Sequence, residues 1–143
     1  MVTVRVATAA DLSALLVLYK EFNPEDPDLS IVDSMVIWAE MAAQGRIVLV
    51  AERDGAIAGT LDCAPFANLT RGGRPILNLE NMVVGEAHRR HGVGRALISA
   101  AVELARQRGC YKLQLLSVDS EEAHAFYESC GFRHAARGYR FYL

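Results

Sequence analysis

The residues Arg89-Arg90-His91-Gly92-Val93-Gly94-Arg95-Ala96-Leu97 have the types and spacing to hold a phosphate. Two glycines one residue apart separate an extended apolar run, Ile76 to Val84, from a strongly helical run that reaches Arg108. Strand, glycine turn, helix presents unpaired backbone N–H groups at the positive end of a helix dipole. Three arginines surround those donors. The chemistry to expect is the binding of a diphosphate. A P-loop needs Gly-Lys-[Ser/Thr], and here Gly94 is followed by Arg95-Ala96. A dinucleotide fingerprint needs a third glycine where Leu97 stands. Its acidic residue, about twenty positions on, would fall near Asp119, Glu121 and Glu122, which belong to a helix start. Both nucleotide readings are weak. An ordinary glycine turn capping a helix stays open.

The elements that must position this turn follow from periodicity. Val2 to Val6 alternates as a strand, and a helix from Thr8 or Asp11 to about Phe22 carries Leu12, Leu15, Leu16 and Tyr19 at helical spacing. Asn23-Pro24-Glu25-Asp26-Pro27 breaks it, and a second helix from about Ser30 to Ala43 stops at Gly45. Arg46–Arg53 and Ala56–Phe66 read as a hairpin about Asp54-Gly55. The turn Arg71-Gly72-Gly73-Arg74-Pro75 leads into the strand Ile76–Val84. In the helix that follows, Val93, Ala96, Leu97, Ala100, Ala101, Leu104 and Ala105 form a core stripe ending at Gly109. Cys110–Leu116 is expected as a strand, Ser120–Ser129 as a short helix, and Phe132 onward as terminal strands. The predicted order is β-α-α-β-β-β-α-β-α-β-β, an α/β (α+β) fold with a mixed sheet and helices on its faces.

Composition bounds the class. The 143 residues make one domain, 1–143, with 52% hydrophobic and 22% charged residues. A net charge of -2 argues against a general nucleic-acid binder. Five arginines against Glu86 and Glu103 nevertheless make Gly85 to Gly109 locally positive. No apolar run reaches membrane-spanning length, and the N-terminus lacks a signal peptide's apolar core, so a cytoplasmic protein without a membrane partner is expected. Cys63, Cys110 and Cys130 are scattered without a C-x-x-C pair, which suggests neither a metal site nor a disulfide framework. His124 has no second metal ligand nearby in sequence.

The element order and two motifs resemble the GNAT superfamily of acetyl-CoA-dependent N-acetyltransferases. The first motif is [Arg/Gln]-x-x-Gly-x-[Gly/Ala], here Arg89-Arg90-His91-Gly92-Val93-Gly94 after a strand ending Met82-Val83-Val84. The second is Tyr-x-x-x-Gly-Phe, here Tyr127-Glu128-Ser129-Cys130-Gly131-Phe132. The resemblance spans essentially the whole chain. It implies a splayed central sheet and acetyl-CoA as co-substrate. The coenzyme pyrophosphate would lie on amides from Arg90 through Ala96, with glycine at 92 and 94 leaving room for phosphate oxygens. The pantetheine arm would lie between Ile76–Val84 and Cys110–Leu116, against Met82 and Val84. The family's asparagine early in the last helix is replaced by Ser120 or Glu121, and Phe126 precedes the motif tyrosine at the same cofactor side.

The same resemblance implies roles. Glu80 stands where many relatives place a base, often acting through water, and Tyr127 matches the general acid for the departing thiolate. An N–H near Met82 or Val83 would stabilise the oxyanion. No covalent nucleophile is needed, and Cys110 and Cys130 read as core cysteines. Gly109-Cys110-Tyr111-Lys112 with Phe126–Phe132 is similar to glucosamine-6-phosphate N-acetyltransferases. Ala123–Tyr127 with Tyr139-Arg140-Phe141 is similar to aminoalkylphosphonate N-acetyltransferases. Both groups take small anionic amines, which Arg71 and Arg74 could meet.

The expected function is therefore acetyl transfer to a primary amine of a small metabolite. Two other readings stay open, acetylation of a protein N-terminus or lysine, and a non-catalytic acyl-CoA sensor. The aromatic end Gly138–Leu143 could pair across subunits, so a homodimer is an expectation the sequence does not decide.

Overall fold

The computed structural model describes residues 1–143. In chain order the elements are β1 (Val2–Val6), α1 (Leu12–Phe22), α2 (Ile31–Ala43), β2 (Ile47–Arg53), β3 (Ala56–Phe66), β4 (Ile76–Val84), α3 (Val93–Gln107), β5 (Lys112–Gln114) and α4 (Glu121–Ser129). The five strands form one sheet in sequence order, antiparallel from β1 to β4 and parallel between β4 and β5.

Alternation along β2 explains the two layers of core. Leu49 and Ala51 face one side with Leu61, Cys63, Leu77 and Leu79, where α3 packs its buried stripe Val93, Leu97, Ile98, Ala101 and Ala105. Val48 and Val50 face the other side with Ala7 and Leu15, under Tyr19, Trp38 and Met41 of α1 and α2. Gly59 on β3 lets α3 sit close, because a Cβ there would stand 2.8 Å from Val93 Cγ1. The β2–β3 hairpin turns on Asp54 and Gly55, with φ of 54° and 75°, the left-handed pair expected of Asp-Gly. Ser30 starts α2 by accepting from the Asp33 N–H at 3.0 Å.

β4 carries a bulge. Its register with β3 shifts between Thr60 and Asp62, and Asn81 has φ of 50°. An extra residue bends the strand there. On the other side of β4 the ladder to β5 runs only from Ile76↔Lys112 to Asn78↔Gln114. Beyond Asn78 the two strands splay.

Two expectations need correction. The strand expected over Cys110–Leu116 is only Lys112–Gln114, because β4 bends away at its bulge and leaves Leu115 and Leu116 no ladder to join. The terminal strands expected after Phe132 do not form. Gly138 passes against the Leu116 side chain, but the sheet offers no paired edge there, and Tyr139 and Phe141 are 85% and 89% exposed. Alternation and aromatic content favour a strand only where a neighbouring strand takes up its N–H and C=O groups.

Candidate active site

The splay opens a small gap of about 40 Å³, lined by Leu61, Leu79, Glu80, Asn81, Met82, Ile98, Leu115, Leu116 and Tyr127. Glu80 and Tyr127 are 47 residues apart in sequence, on β4 and α4, and the fold brings both to this gap. Glu80 is exposed and has no side-chain partner within the protein. Tyr127 is half-buried, edge-on to Phe126 at 5.1 Å and to Phe132 at 5.9 Å. Burial, with a smaller contribution from Cys130, raises its hydroxyl above the usual tyrosine range, so it stays protonated at neutral pH.

The start of α3 adjoins the far end of β4. Its first intrahelical bond is Ala96 N–H to Gly92 O at 3.0 Å, and no side chain caps it. The amides before Ala96 therefore lack helical partners and can receive an anion. Arg90 and Gly92 both take left-handed conformations, φ 65° and 79°, which turn the backbone around these donors. The two glycines have different reasons. Gly92 opens on empty space, where only its φ demands glycine. At Gly94 a Cβ would lie 3.1 Å from the Phe126 ring and 3.4 Å from the Met82 methyl. Gly94 thus serves the contact between α3, α4 and β4, and Phe126 is the residue that fills it.

The three arginines also divide. Arg89 and Arg90 are exposed, as is His91. Arg95 donates to Ser129 O at 3.2 Å and Ser129 Oγ at 2.8 Å, tying α3 to the end of α4. Val83 is buried, and Met82 and Val84 are half-buried, on the β4 segment past the β5 ladder. Ser120 is the N-cap of α4 and accepts from the Ala123 N–H at 3.2 Å.

Arg71 and Arg74 lie elsewhere. Arg74 donates to Gly109 O at 3.3 Å and Cys110 O at 3.2 Å, and Arg71 lies over the Tyr111 ring at 5.5 Å. Arg74 lies two residues before β4, and Glu80 four residues into it, about 13 Å from Ile76 at ~3.3 Å per residue. Neither arginine lines the gap or the cleft described next. The contacts of both arginines lie at the β4–β5 ladder end, and neither is brought to the gap beside Glu80.

A larger cleft of about 560 Å³ lies across β4 from the gap, and Asn81 borders both. Its walls are Tyr19 and Phe22 of α1, Asn23 and Asp26 in the turn that follows, Ile37, Glu40 and Met41 on one face of α2, and Gln44 at its end. The floor is a polar cluster that the sequence reading missed. Asp62, 2% exposed, accepts from Arg46 Nη2 at 2.7 Å, from Asn81 Nδ2 at 3.1 Å and from Tyr19 OH at 3.4 Å. Burial pushes the Asp62 carboxyl up, and the donors Asn81 and Arg46 pull it back. Burial first, then the Asp62 charge, raises Tyr19. Arg46 Nε is buried without an acceptor, a condition that costs about 1–3 kcal/mol in general. The available signal was Asp62 itself, the one charge within Ala56–Phe66.

Several other polar groups serve structure. Arg5 pairs with Asp11 at 2.8 Å and 2.9 Å, holding that carboxyl down at about 2. Cys63 is fully buried, which pushes its thiol up to about 12, and all three cysteines are free. His124 Nε2 is 3.1 Å from Asp119 on the exposed start of α4. No helix is long and apolar enough to cross a membrane.

Comparison with known proteins identifies the family. The family model of the acetyltransferase (GNAT) family matches residues 12–132. A glucosamine 6-phosphate N-acetyltransferase of Trypanosoma brucei brucei is 38% identical over 132 residues, covering 90% of this chain and 87% of its own. An aminoglycoside N(6')-acetyltransferase type 1 of Stenotrophomonas maltophilia is 31% identical, covering 94% and 88%. The crystal structure of a Trypanosoma brucei acetyltransferase superposes with a TM-score of 0.90 at 35% identity, covering 100% of both chains. The chain belongs to the acetyltransferase (GNAT) family and is an N-acetyltransferase by kinship.

Proposed function

We propose that this acetyltransferase moves an acetyl group from acetyl-CoA to a primary amine of a small metabolite. One observation carries the reading: Glu80 and Tyr127 line one gap at the β4–β5 splay, beside the free amides of α3. The residues fit the coenzyme. The unpaired edge of β4 around Met82, Val83 and Val84 suits an extended arm. The amides from Arg90 to Ala96, with exposed Arg89, Arg90 and His91, suit the pyrophosphate.

In this reading the amine nitrogen bonds to the acetyl carbon as the carbon–sulfur bond breaks. Glu80, exposed at the gap, takes the proton the ammonium must lose and passes it to solvent, directly or through water. Tyr127 Oη gives its proton to the departing sulfur, and the second proton that the nitrogen sheds as the amide forms restores the tyrosine through solvent. The products are the amide, free thiol and one proton. A backbone N–H near Met82 or Val83, beside the bulge, faces the oxygen that gains charge. A 560 Å³ cleft reached past Asn81 matches a small molecule better than a peptide. The small-amine relatives, glucosamine 6-phosphate and aminoglycoside enzymes by name, support the same class.

The test is release of free thiol from acetyl-CoA with a broad amine panel. Release that Tyr127→Phe and Glu80→Gln suppress supports the proposal. No release above buffer with any amine would overturn it, and tight acetyl-CoA binding without turnover would favour a sensor. We further propose a homodimer formed through the exposed segment Gly138–Leu143. A sedimenting monomer at every concentration would remove that proposal. A cytoplasmic setting accords with the three free thiols.

A further inference from the structure

The bulge in β4 changes which face each residue of the strand presents. Leu77 and Leu79 belong to the core layer under α3, two positions apart as a regular strand requires, but the next members of that layer are Met82 and Val84. Glu80 pairs with Asp62 and Val83 with Thr60, so Asn81 and Met82 together oppose Leu61. The residue taken out of the alternation is Asn81, at φ 50°. A regular ladder would instead send Asn81 toward α3 and turn Met82 and Val84 away from it. A side-chain tether holds the observed phase. Asn81 Nδ2 donates to Asp62 Oδ2 at 3.1 Å across the β3–β4 pair. Leu61 and Cys63 belong to the α3 layer, so Asp62 between them faces α1 and α2, where Arg46 Nη2 donates to it at 2.7 Å and Tyr19 OH at 3.4 Å. Held from both sides and 2% exposed, Asp62 is a fixed point under the bulge. Asparagine visits the left-handed region more readily than most residues, yet such a φ inside a strand persists only where its surroundings over-determine it.

We infer that Asp62 is a positioning residue for the reaction, acting through Asn81: it holds the left-handed bulge that aims Glu80 into the gap and sets the Met82 and Val83 backbone beside it. This rests on the proposal of acetyl transfer to a small amine. Glu80 and Met82, the immediate neighbours of Asn81, both line the gap with Tyr127. Loss of the bulge would move both and leave Tyr127 in place on α4. Asp62 lines the acceptor cleft and not the gap, so its effect on the reacting atoms passes through the tether.

The test uses glycine as the residue that reaches φ 50° without a tether. In thiol release with the best amine of the panel, Asn81→Ala should lower kcat about 30-fold or more, and Asn81→Gly less than about 5-fold. Asp62→Ala combined with Arg46→Met, which avoids leaving the guanidinium unpaired, should lower kcat about 10-fold when residue 81 is asparagine and less than about 2-fold when it is glycine. The amine KM should rise in both backgrounds, because that effect belongs to the cleft floor. Melting curves check that each variant is folded. A second readout needs no activity. The coupling between the amide and α protons of Asn81 reads φ, and it should rise toward the extended-strand value in the Asp62→Ala, Arg46→Met variant. An unchanged coupling there would overturn the inference. Equal losses of kcat in Asn81→Ala and Asn81→Gly would also overturn it, by making the asparagine side chain itself the contributor, as would an effect of the Asp62 variant that is the same in both backgrounds. No thiol release with any amine would overturn acetyl transfer, while the coupling would still decide whether Asp62 holds the bulge.

Discussion

The start of α3 and the floor of the acceptor cleft flank the same splayed strand, yet they are assembled in opposite ways. The α3 turn is local: Arg90, Gly92 and the free amides lie within a few residues, and most of its chemistry is backbone. The cleft floor is dispersed: Tyr19, Arg46, Asp62 and Asn81 come from α1, the start of β2, β3 and the β4 bulge, and its chemistry is side chain. Backbone donors suit a coenzyme whose diphosphate never varies. Side-chain charges can be re-specified one by one, which suits an acceptor that differs among relatives. Between them, the gap holds Glu80 and Tyr127 and belongs to neither side alone.

That contrast can be broken first at the gap. Tyr127→Phe is expected to lower kcat about 100-fold or more, with acetyl-CoA affinity by titration little changed, and Glu80→Gln should do the same. A fall in affinity without a fall in kcat would move these residues to the binding sides. Because burial raises Tyr127, its proton is retained through neutral pH, and no loss of rate from its ionisation is expected until the pH passes the normal tyrosine range near 10.

On the acceptor side, Asp62→Ala leaves Arg46 without its partner at 2.7 Å, and urea unfolding should show a loss of about 3 kcal/mol. Adding Arg46→Met should return much of it, since burial already raises the Asp62 carboxyl and makes its ionised form a cost to folding. The double variant should nevertheless keep a raised KM for the amine. Recovery of stability and KM together would reduce the cluster to a structural pair.

The donor side should respond more weakly. Gly92→Ala places a Cβ at φ 79°, a cost of about 1–2 kcal/mol with weaker acetyl-CoA binding. Gly94→Ala meets Phe126 at 3.1 Å and should act through packing, in melting temperature as much as in affinity. The smallest effect is at Asp11, which joins Arg5 to the turn before α1. Its carboxyl is held at about 2 in the folded state, below its ordinary value. The stabilisation is therefore complete above about pH 4 and is lost as pH falls through 2, and Asp11→Asn should flatten that acid limb alone.

Local signals carried far in this chain. Ala56–Phe66 and Ile76–Val84 are found at the limits their apolar runs and turns predict, and Asp54-Gly55 fixes the hairpin between its strands. Ser30 and Ser120 read correctly as helix starts because a cap involves residues three apart. Gly94 shows the limit of the same reasoning. Its spacing suggests a phosphate contact, but the atom nearest its missing side chain belongs to Phe126, thirty-two positions away. The terminal residues Tyr139–Leu143 fail similarly, since their aromatic pattern specifies a strand and says nothing of whether an edge exists to receive it.

The sequence by itself specified the first four strands, the helices, the family motifs and the turn before α3. All of these depend on period, caps and glycine φ, which act over a few residues. Tertiary structure alone decided where β4 and β5 part, that Glu80 and Tyr127 share a gap, that Arg71 and Arg74 are used elsewhere, and that Asp62 gathers three donors beneath a cleft. Those facts depend on distances between residues far apart in the chain, and the one-residue bulge at Asn81 lies where β4 leaves β5.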